Sequence, residues 1–305
     1  MKLKKIFIVS ILILSLTGCT TVLKDSKGKT VQNPTTGQNL TKNILCQPTV
    51  EDTIKLYTKN GVKINNLPKC SKLSITSGKY EGIWTTIFVK PLAWLIIKIG
   101  EIIKNYGLAV IIVTLIIRTV VYPLTKSMAM QSENMKKARP ELDKLEKKYK
   151  DKQDQQNMMA KSQEMMLIYK KYGIKPMAGC IFSFIQILLF FAFYEAMNRL
   201  PIIFEGKFLG FHLGTTPLQG VSKGNYLYLI FTILIIIVTF FSFRLNSGAS
   251  MSSDQEKQMK MMSNIMIIFI SIASLSLSTG IALYWIANSS FTIIQNLIVK
   301  RKNKE

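Results

Sequence analysis

The chain has 305 residues, with 40 Lys+Arg against 17 Asp+Glu, one His, four Cys and a formal net charge of +23. Its length admits one or two domains. Apolar residues, 48% of the total, gather into long runs almost free of charge, while the charge collects in short stretches. That pattern excludes an ordinary soluble globule and a disordered basic tail. A single histidine, His212, excludes a multi-His metal site, and no metal or cofactor is expected. GxxxxGK[ST], HExxH and GxSxG are absent, so no enzyme chemistry of the common nucleotide, zinc-protease or hydrolase kinds is expected.

Lys2, Lys4 and Lys5 precede the apolar run Ile6 to Leu16, which leads into Leu16-Thr17-Gly18-Cys19. A charged start, a short apolar stretch and small residues before a cut make residues 1–18 a signal peptide, too short to span a bilayer securely. The tetrapeptide resembles a bacterial lipobox, which implies cleavage before Cys19, lipidation of its sulfur and a mature N-terminus fixed to the outer face of the cell membrane. The alternative is an uncleaved anchor with a chance cysteine. Residues 19–82 then form a lipid-anchored extracytoplasmic tether, polar and flexible up to residue 42. Thr49-Val50-Glu51-Asp52 starts a short helix that Gly61 ends. Cys46 and Cys70 bracket this piece, either as a disulfide, which an extracytoplasmic setting permits, or as free thiols. Cys180, in an apolar helix, reads as a small core residue.

Residues 83–105 place Lys90, Lys98, Glu101, Lys104 and Asn105 on one narrow arc of an otherwise apolar, Trp-containing helix that Pro91 interrupts. This pattern suits an amphipathic helix lying in the membrane interface; a true span is the alternative, and it would invert everything after it. Five apolar segments follow, at about 107–124, 177–198, 226–243, 262–278 and 281–299, each long enough to cross a ~30 Å core. The last two are separated by Thr279-Gly280. With the N-terminus outside, loop 125–176 is cytoplasmic. Its 13 Lys/Arg against 7 Asp/Glu agree with that side, as does the basic tail 301–305. Within the loop, Met135, Ala138, Leu142, Leu145 and Tyr149 repeat at helical spacing, as do Met158, Met165, Met166, Tyr169 and Tyr172. These stripes predict a two-helix hairpin, either a solvated spacer or a docking arm. The expected fold is an all-α membrane protein, a five-transmembrane-helix bundle over residues 106–300 with a cytoplasmic hairpin and an interfacial helix.

Arg118 stands inside the first span, where a central arginine costs at least ~2.5–3.5 kcal/mol on insertion scales. It either snorkels to cytoplasmic headgroups or faces a polar cavity; the second reading is preferred, because an uncompensated charge opposes insertion of its own helix. Gln186 interrupts the second span. Asn264, Asn288, Gln295 and a set of Ser and Thr residues complete the intramembrane polar residues, and many Ser and Thr side chains bond back to their own helix. Glu195, near the outer end of the second span, is expected to reach the outer headgroups.

Three separated stretches carry a resemblance to a known family. Ile116-Ile117-Arg118 through Tyr122-Pro123-Leu124, Tyr169 through Cys180 with Gln186 and Ala192-Phe193-Tyr194, and Gly280 through Trp285 with Ile293-Ile294-Gln295 resemble the YidC-type membrane protein insertases. The resemblance runs collinearly over about 84–300. The lipobox and short outer segment are similar to the Gram-positive form. Ser278-Thr279 departs from the family's usual Pro-Ala before Gly280, and residues 20–82 are longer than usual. The resemblance implies an insertase and chaperone that works alone or with the Sec translocon, through a hydrophilic groove holding Arg118, with Gln186, Trp285 and Gln295 along the substrate path. It implies nascent membrane proteins, the ribosome, targeting factors and the lipid bilayer as partners, with no sequence-specific nucleic acid. A small-solute transporter and a passive scaffold lipoprotein are the rival classes; the first predicts inverted repeats, and none is visible.

Overall fold

A computed structural model describes residues 20–150, 154–175, 178–246 and 253–302, with side chains described except at 178–183, 246, 253–259 and 302. The signal peptide 1–18 and the lipidation at Cys19 lie outside the described residues. So do residues 303–305 of the tail and the centre of the expected hairpin turn, 151–153. The chain divides into two compact units. One contains residues up to 114 together with 187–232 and 274–285, and the other contains 115–186, 233–273 and 286–305.

The first unit begins where a flexible tether was expected. Residues 20–45 instead pair their backbones. Isolated bridges join Val22 to Thr41, Lys24 to Thr30 and Gln32 to Asn39. Leu23, Val31, Leu40 and Ile44 are buried in a small core with Tyr57, Ile64 and Phe204. A few well-spaced apolar residues thus order a segment whose composition is polar throughout. Helix α1 (Glu51–Lys59) has Val50 at its N-cap with no side-chain cap. Glu205 meets the start of the helix instead, accepting from Thr49 N (3.0 Å), Thr49 Oγ1 (2.7 Å) and Val50 N (3.3 Å). A carboxylate at a helix N-terminus is favoured by the helix dipole. Cys46 and Cys70 are bonded to each other.

Residues 83–105 do change character around Pro91. A π-helical stretch, Thr85–Val89, runs into α2 (Lys90–Ile103), where Pro91 occupies the first turn and needs no donor. Lys90 is not part of a solvated stripe: it is buried, and its Nζ donates to the carbonyls of Ser77 (2.7 Å) and Lys79 (3.1 Å). The unit also contains the first turns of α3 (Tyr106–Lys148) and the end of α5 (Ala178–Asn198). Then come the short α6 (Pro201–Phe204), a two-residue-per-strand hairpin, β1 (Lys207–Phe208) with β2 (Phe211–His212), and α7 (Pro217–Ser222). Thr216 and Gln219 form a capping box at the start of α7.

Glu195 and Arg199 clasp this unit together. Arg199 is fully buried; its Nη1 donates to Glu195 (2.9 Å), its Nε to the Asn43 carbonyl (2.6 Å) and its Nη2 to Glu81. The other Glu195 oxygen accepts from Trp84 Nε1 (2.9 Å). The expectation that Glu195 reaches the headgroups is therefore corrected. At 4% exposure the carboxylate is held inside by a cation one helical turn away and an indole 111 residues distant.

The second unit holds the rest of α3, then α4 (Gln155–Lys171), the beginning of α5, most of α8 (Leu229–Asn246), α9 (Ser253–Ser274) and most of α10 (Thr279–Lys302). The turn between α9 and α10 is residues 275–278; Thr279-Gly280, expected as the turn, opens α10 instead. Two described helices, Tyr106–Lys148 and Tyr226–Leu245, are long and apolar enough to cross a membrane. The hairpin of α3 and α4 buries Met135, Ala138, Leu142, Leu145, Tyr149 and Tyr169. Met158 and Met166, placed on the seam by spacing, are more than 60% exposed; Ile168 packs against the seam instead. The hairpin is clasped twice by the same device. Lys148 Nζ and Tyr149 OH both donate to Glu164 (2.6 and 2.8 Å), and Lys171 Nζ and Tyr172 OH both donate to Glu141 (2.5 and 2.8 Å). These bonds hold both carboxyls below the usual carboxylate range.

Candidate functional site

Arg118 is 3% exposed, in the middle of an apolar stretch of α3. Its Nε donates to Asn288 Oδ1 (2.5 Å) on α10, and its Nη2 donates to Gln186 Oε1 on α5. Seven residues further along both helices, Thr125 Oγ1 donates to Gln295 Oε1 (2.9 Å). Between these layers the rings of Tyr122 and Phe291 meet edge to face at 6.5 Å. Each of the three contacts between α3 and α10 pairs residues 169 or 170 apart, so these two helices run parallel in a fixed register. Two turns of helix at 1.5 Å per residue make a polar seam about 10 Å long.

The seam brings together three of the expected site residues, Arg118, Gln186 and Gln295. Gln295 is buried, and Gln186 partly so. Trp285 belongs to the other unit, where its indole meets Phe190 edge to face at 5.5 Å. Asn288 was only one of several polar residues on the last helix, yet it is the one that takes Arg118 Nε. Its signal lay in the spacing: Asn288 and Gln295 are seven apart, as are Arg118 and Thr125. Other hydroxyls serve their own helices, as in Thr114 to the Val110 carbonyl, Thr119 to Leu115, Ser271 to Ile267 and Thr292 to Asn288.

Amide oxygens solvate a guanidinium without cancelling its charge, and in low dielectric such a charge attracts acidic or polar groups strongly. That is binding chemistry. Among the described residues, no group of three or more His, Cys, Asp or Glu is placed to hold a metal ion.

Residues 98–305 match the family described as 60Kd inner membrane protein. The chain belongs to that family. Among its relatives it is 34% identical over 228 residues to the membrane protein insertase YidC of Oceanobacillus iheyensis, covering 72% of this chain and 85% of that one. It is 35% identical over 221 residues to the same-named protein of Alkalihalophilus pseudofirmus, covering 70% and 81%. Its fold is similar to a crystal structure of an active YidC insertase, with a TM-score of 0.50 at 22% identity. That match covers 81% of this chain and half of the solved one, and it speaks for the fold alone. The 60Kd family match takes in all of α3, α5 and α10, and therefore the whole polar seam; it leaves residues 20–82 outside.

Proposed function

We propose that this chain is a membrane protein insertase, which lowers the cost of moving a client's polar outer segment into the bilayer while the client's apolar span slides out into lipid. The observation that carries the reading is the guanidinium of Arg118 inside an apolar helix, presented by the amides of Asn288 and Gln186. The family membership and the relatives named as insertases support it. A fixed cation reduces the desolvation cost for acidic client residues, and exit into lipid returns about 25 cal/mol for each Å² of apolar surface buried. Neither step needs a nucleotide, and no enzyme activity is assigned.

The architecture that goes with this function has five spans, on α3, α5, α8, α9 and α10, with residues 83–105 in the interface. The parallel register of α3 and α10 supports it, since three intervening crossings give the first and last spans the same direction. The groove opens to the cytoplasm, where the α3–α4 hairpin and the tail lie. Gln295 lines the client's path with Arg118, and Trp285 is a further client-contacting residue that the likeness to the insertases suggests. Cys19 carries the lipid, and residues 20–82 face outward. Clients arrive as nascent membrane proteins from the ribosome or targeting factors, with or without the Sec translocon.

The test is reconstitution of the full chain in proteoliposomes with single-span reporters whose outer tails are acidic or neutral. Arg118→Ala is expected to lower insertion of the acidic reporter about tenfold or more and the neutral one less, with Arg118→Lys in between. Equal insertion by wild type and Arg118→Ala on every reporter contradicts the assignment.

A further inference from the structure

The β1–β2 hairpin carries a residue that its own turn disfavours. Phe208 pairs with Phe211, which leaves Leu209 and Gly210 as a two-residue loop. Both have positive φ, 49° and 84°. A turn with two left-handed central residues suits Asn-Gly, Asp-Gly or Gly-Gly. Leucine in that conformation presses its Cβ toward the following carbonyl oxygen. Nor does burial within the protein account for it, since Leu209 is 80% exposed. Neither local conformation nor packing explains a large apolar side chain at this tip.

The neighbours of the hairpin identify its surroundings. On one side, Phe208 lies so close to Gly107 that a Cβ at Gly107 would come within 2.6 Å of its side chain. Gly107 is the second residue of α3. On the other side, Phe211 meets Tyr228 and Phe231 edge to face at 5.1 and 5.0 Å, and the His212 amide donates to the Tyr228 hydroxyl (2.9 Å). Phe231 is the third residue of α8. The hairpin therefore packs against the first turns of both described helices that are long and apolar enough to cross a membrane. Both begin at the level of the hairpin. The residues beside it are exposed and apolar or amphipathic: Leu108 at 40%, Tyr226 at 66% and Leu227 at 70%. Tyrosines at the ends of spans are common where chain meets headgroup. Lys207, at the base of β1, is exposed.

We propose that this hairpin is a lipid-inserting loop. Leu209 enters the acyl boundary of the leaflet in which α3 and α8 begin, and Lys207 lies among the headgroup phosphates of the same leaflet. The leucine is kept at a left-handed position because lipid, not water, surrounds it. The bilayer is the natural occupant because the hairpin is continuous with the span ends on both sides. The inference rests on reading α3 and α8 as spans, and its test separates the two claims.

Single nitroxides are placed at Leu209→Cys, at Ile237→Cys in mid-α8 and at Lys29→Cys in the outward module. A Cys180→Ser background is used, with the full chain in nanodiscs of phosphatidylethanolamine and phosphatidylglycerol. Power saturation compares oxygen, which partitions into lipid, with a water-soluble nickel chelate. At position 209 the oxygen-to-chelate accessibility ratio is expected to be several-fold above that at 29 and below that at 237. A ratio at 209 equal to that at 29, with 237 still lipid-like, overturns the loop insertion alone. A label at 209 shielded from both reagents means a protein partner occupies the tip, and also overturns it. A water-like ratio at 237 overturns the spanning reading and the loop insertion with it.

Discussion

Arg199 and Arg118 are both almost fully buried, at 0% and 3% exposure, and the chain treats them in opposite ways. Around Arg199 the charge is cancelled. Two carboxylates and a backbone carbonyl meet the guanidinium, and they tie the end of α5 to residues 43–45 and 81–84. Around Arg118 the side-chain amides of Asn288 and Gln186 accept from the guanidinium and orient it. The first arrangement is a clasp, whose removal harms the fold. Under the proposed function the second presents a charge to a passing client, and its removal is expected to harm insertion more than the fold. Burial alone does not distinguish the two; the identity of the acceptors does.

The sharpest way to break this contrast is Arg199→Ala. It leaves Glu195 buried without its cation, which costs about 3–5 kcal/mol. At roughly 2–4 °C per kcal/mol for chains of 150–250 residues, the thermal midpoint of the purified protein is expected to fall by about 6 °C or more. Arg199→Met combined with Glu195→Leu is expected to recover most of the loss, because a buried ion pair exchanged for apolar groups is often neutral. Arg118→Ala in the same assay is expected to shift the midpoint by less than a third as much. A larger shift from Arg118→Ala than from Arg199→Ala reverses the account of both.

The next effect is the disulfide. Cys46 and Cys70 lie 24 residues apart, and a loop of that size gives about 3 kcal/mol in the chain-entropy account. Cys46→Ser with Cys70→Ser is expected to expose residues 20–73 to protease at least tenfold faster, while insertion of a neutral reporter changes much less. Smaller still are the paired hairpin clasps. Glu141 and Glu164 are solvent-facing, so Glu141→Gln or Glu164→Gln is expected to speed proteolysis of the hairpin by no more than a few-fold, less at high salt.

The smallest effect is on pH dependence. Burial, followed by the charges of Lys207 and Lys223, pushes His212 below its ordinary value. A folded value below the unfolded one means the stabilisation is complete above about pH 6.5 and is lost as pH falls through the folded value. The thermal midpoint is expected to decline modestly from pH 7 to pH 5, and His212→Gln is expected to flatten that slope. The hairpin carboxyls, also held low, contribute their own loss only below about pH 4.

How much of this was legible in the sequence depended on whether a residue contradicted its surroundings. Arg118 and Gln186 stand out because they interrupt apolar runs, and no knowledge of packing is needed to see it. Asn288 was hidden among Ser289, Ser290, Thr292 and Gln295, because the rotation of α10 is set by its partner helix and not by its own sequence. Glu195 was misjudged for the same reason: its position near a helix end suggests headgroups, while Trp84 and Arg199 draw it inward. Residues 20–45 read as a tether because Leu23, Val31 and Leu40 are too widely spaced to show a period. They form a core only together with Ile44, Tyr57, Ile64 and Phe204. The hairpin stripes hold at Met135, Ala138, Leu142, Leu145, Tyr149, Met165, Tyr169 and Tyr172 and fail at Met158 and Met166; helical spacing fixes a face only to within one neighbour, so Ile168 packs on the seam and Met166 faces out.

The most direct measurement of the central claim is the accessibility of position 118. Arg118→Cys in a Cys180→Ser background is exposed to a charged, membrane-impermeant maleimide added to inside-out or right-side-out vesicles. Rapid labelling from the cytoplasmic face and little from the outer face is the predicted result. A thiol that reacts only with apolar, membrane-soluble reagents places residue 118 in hydrocarbon and contradicts the account.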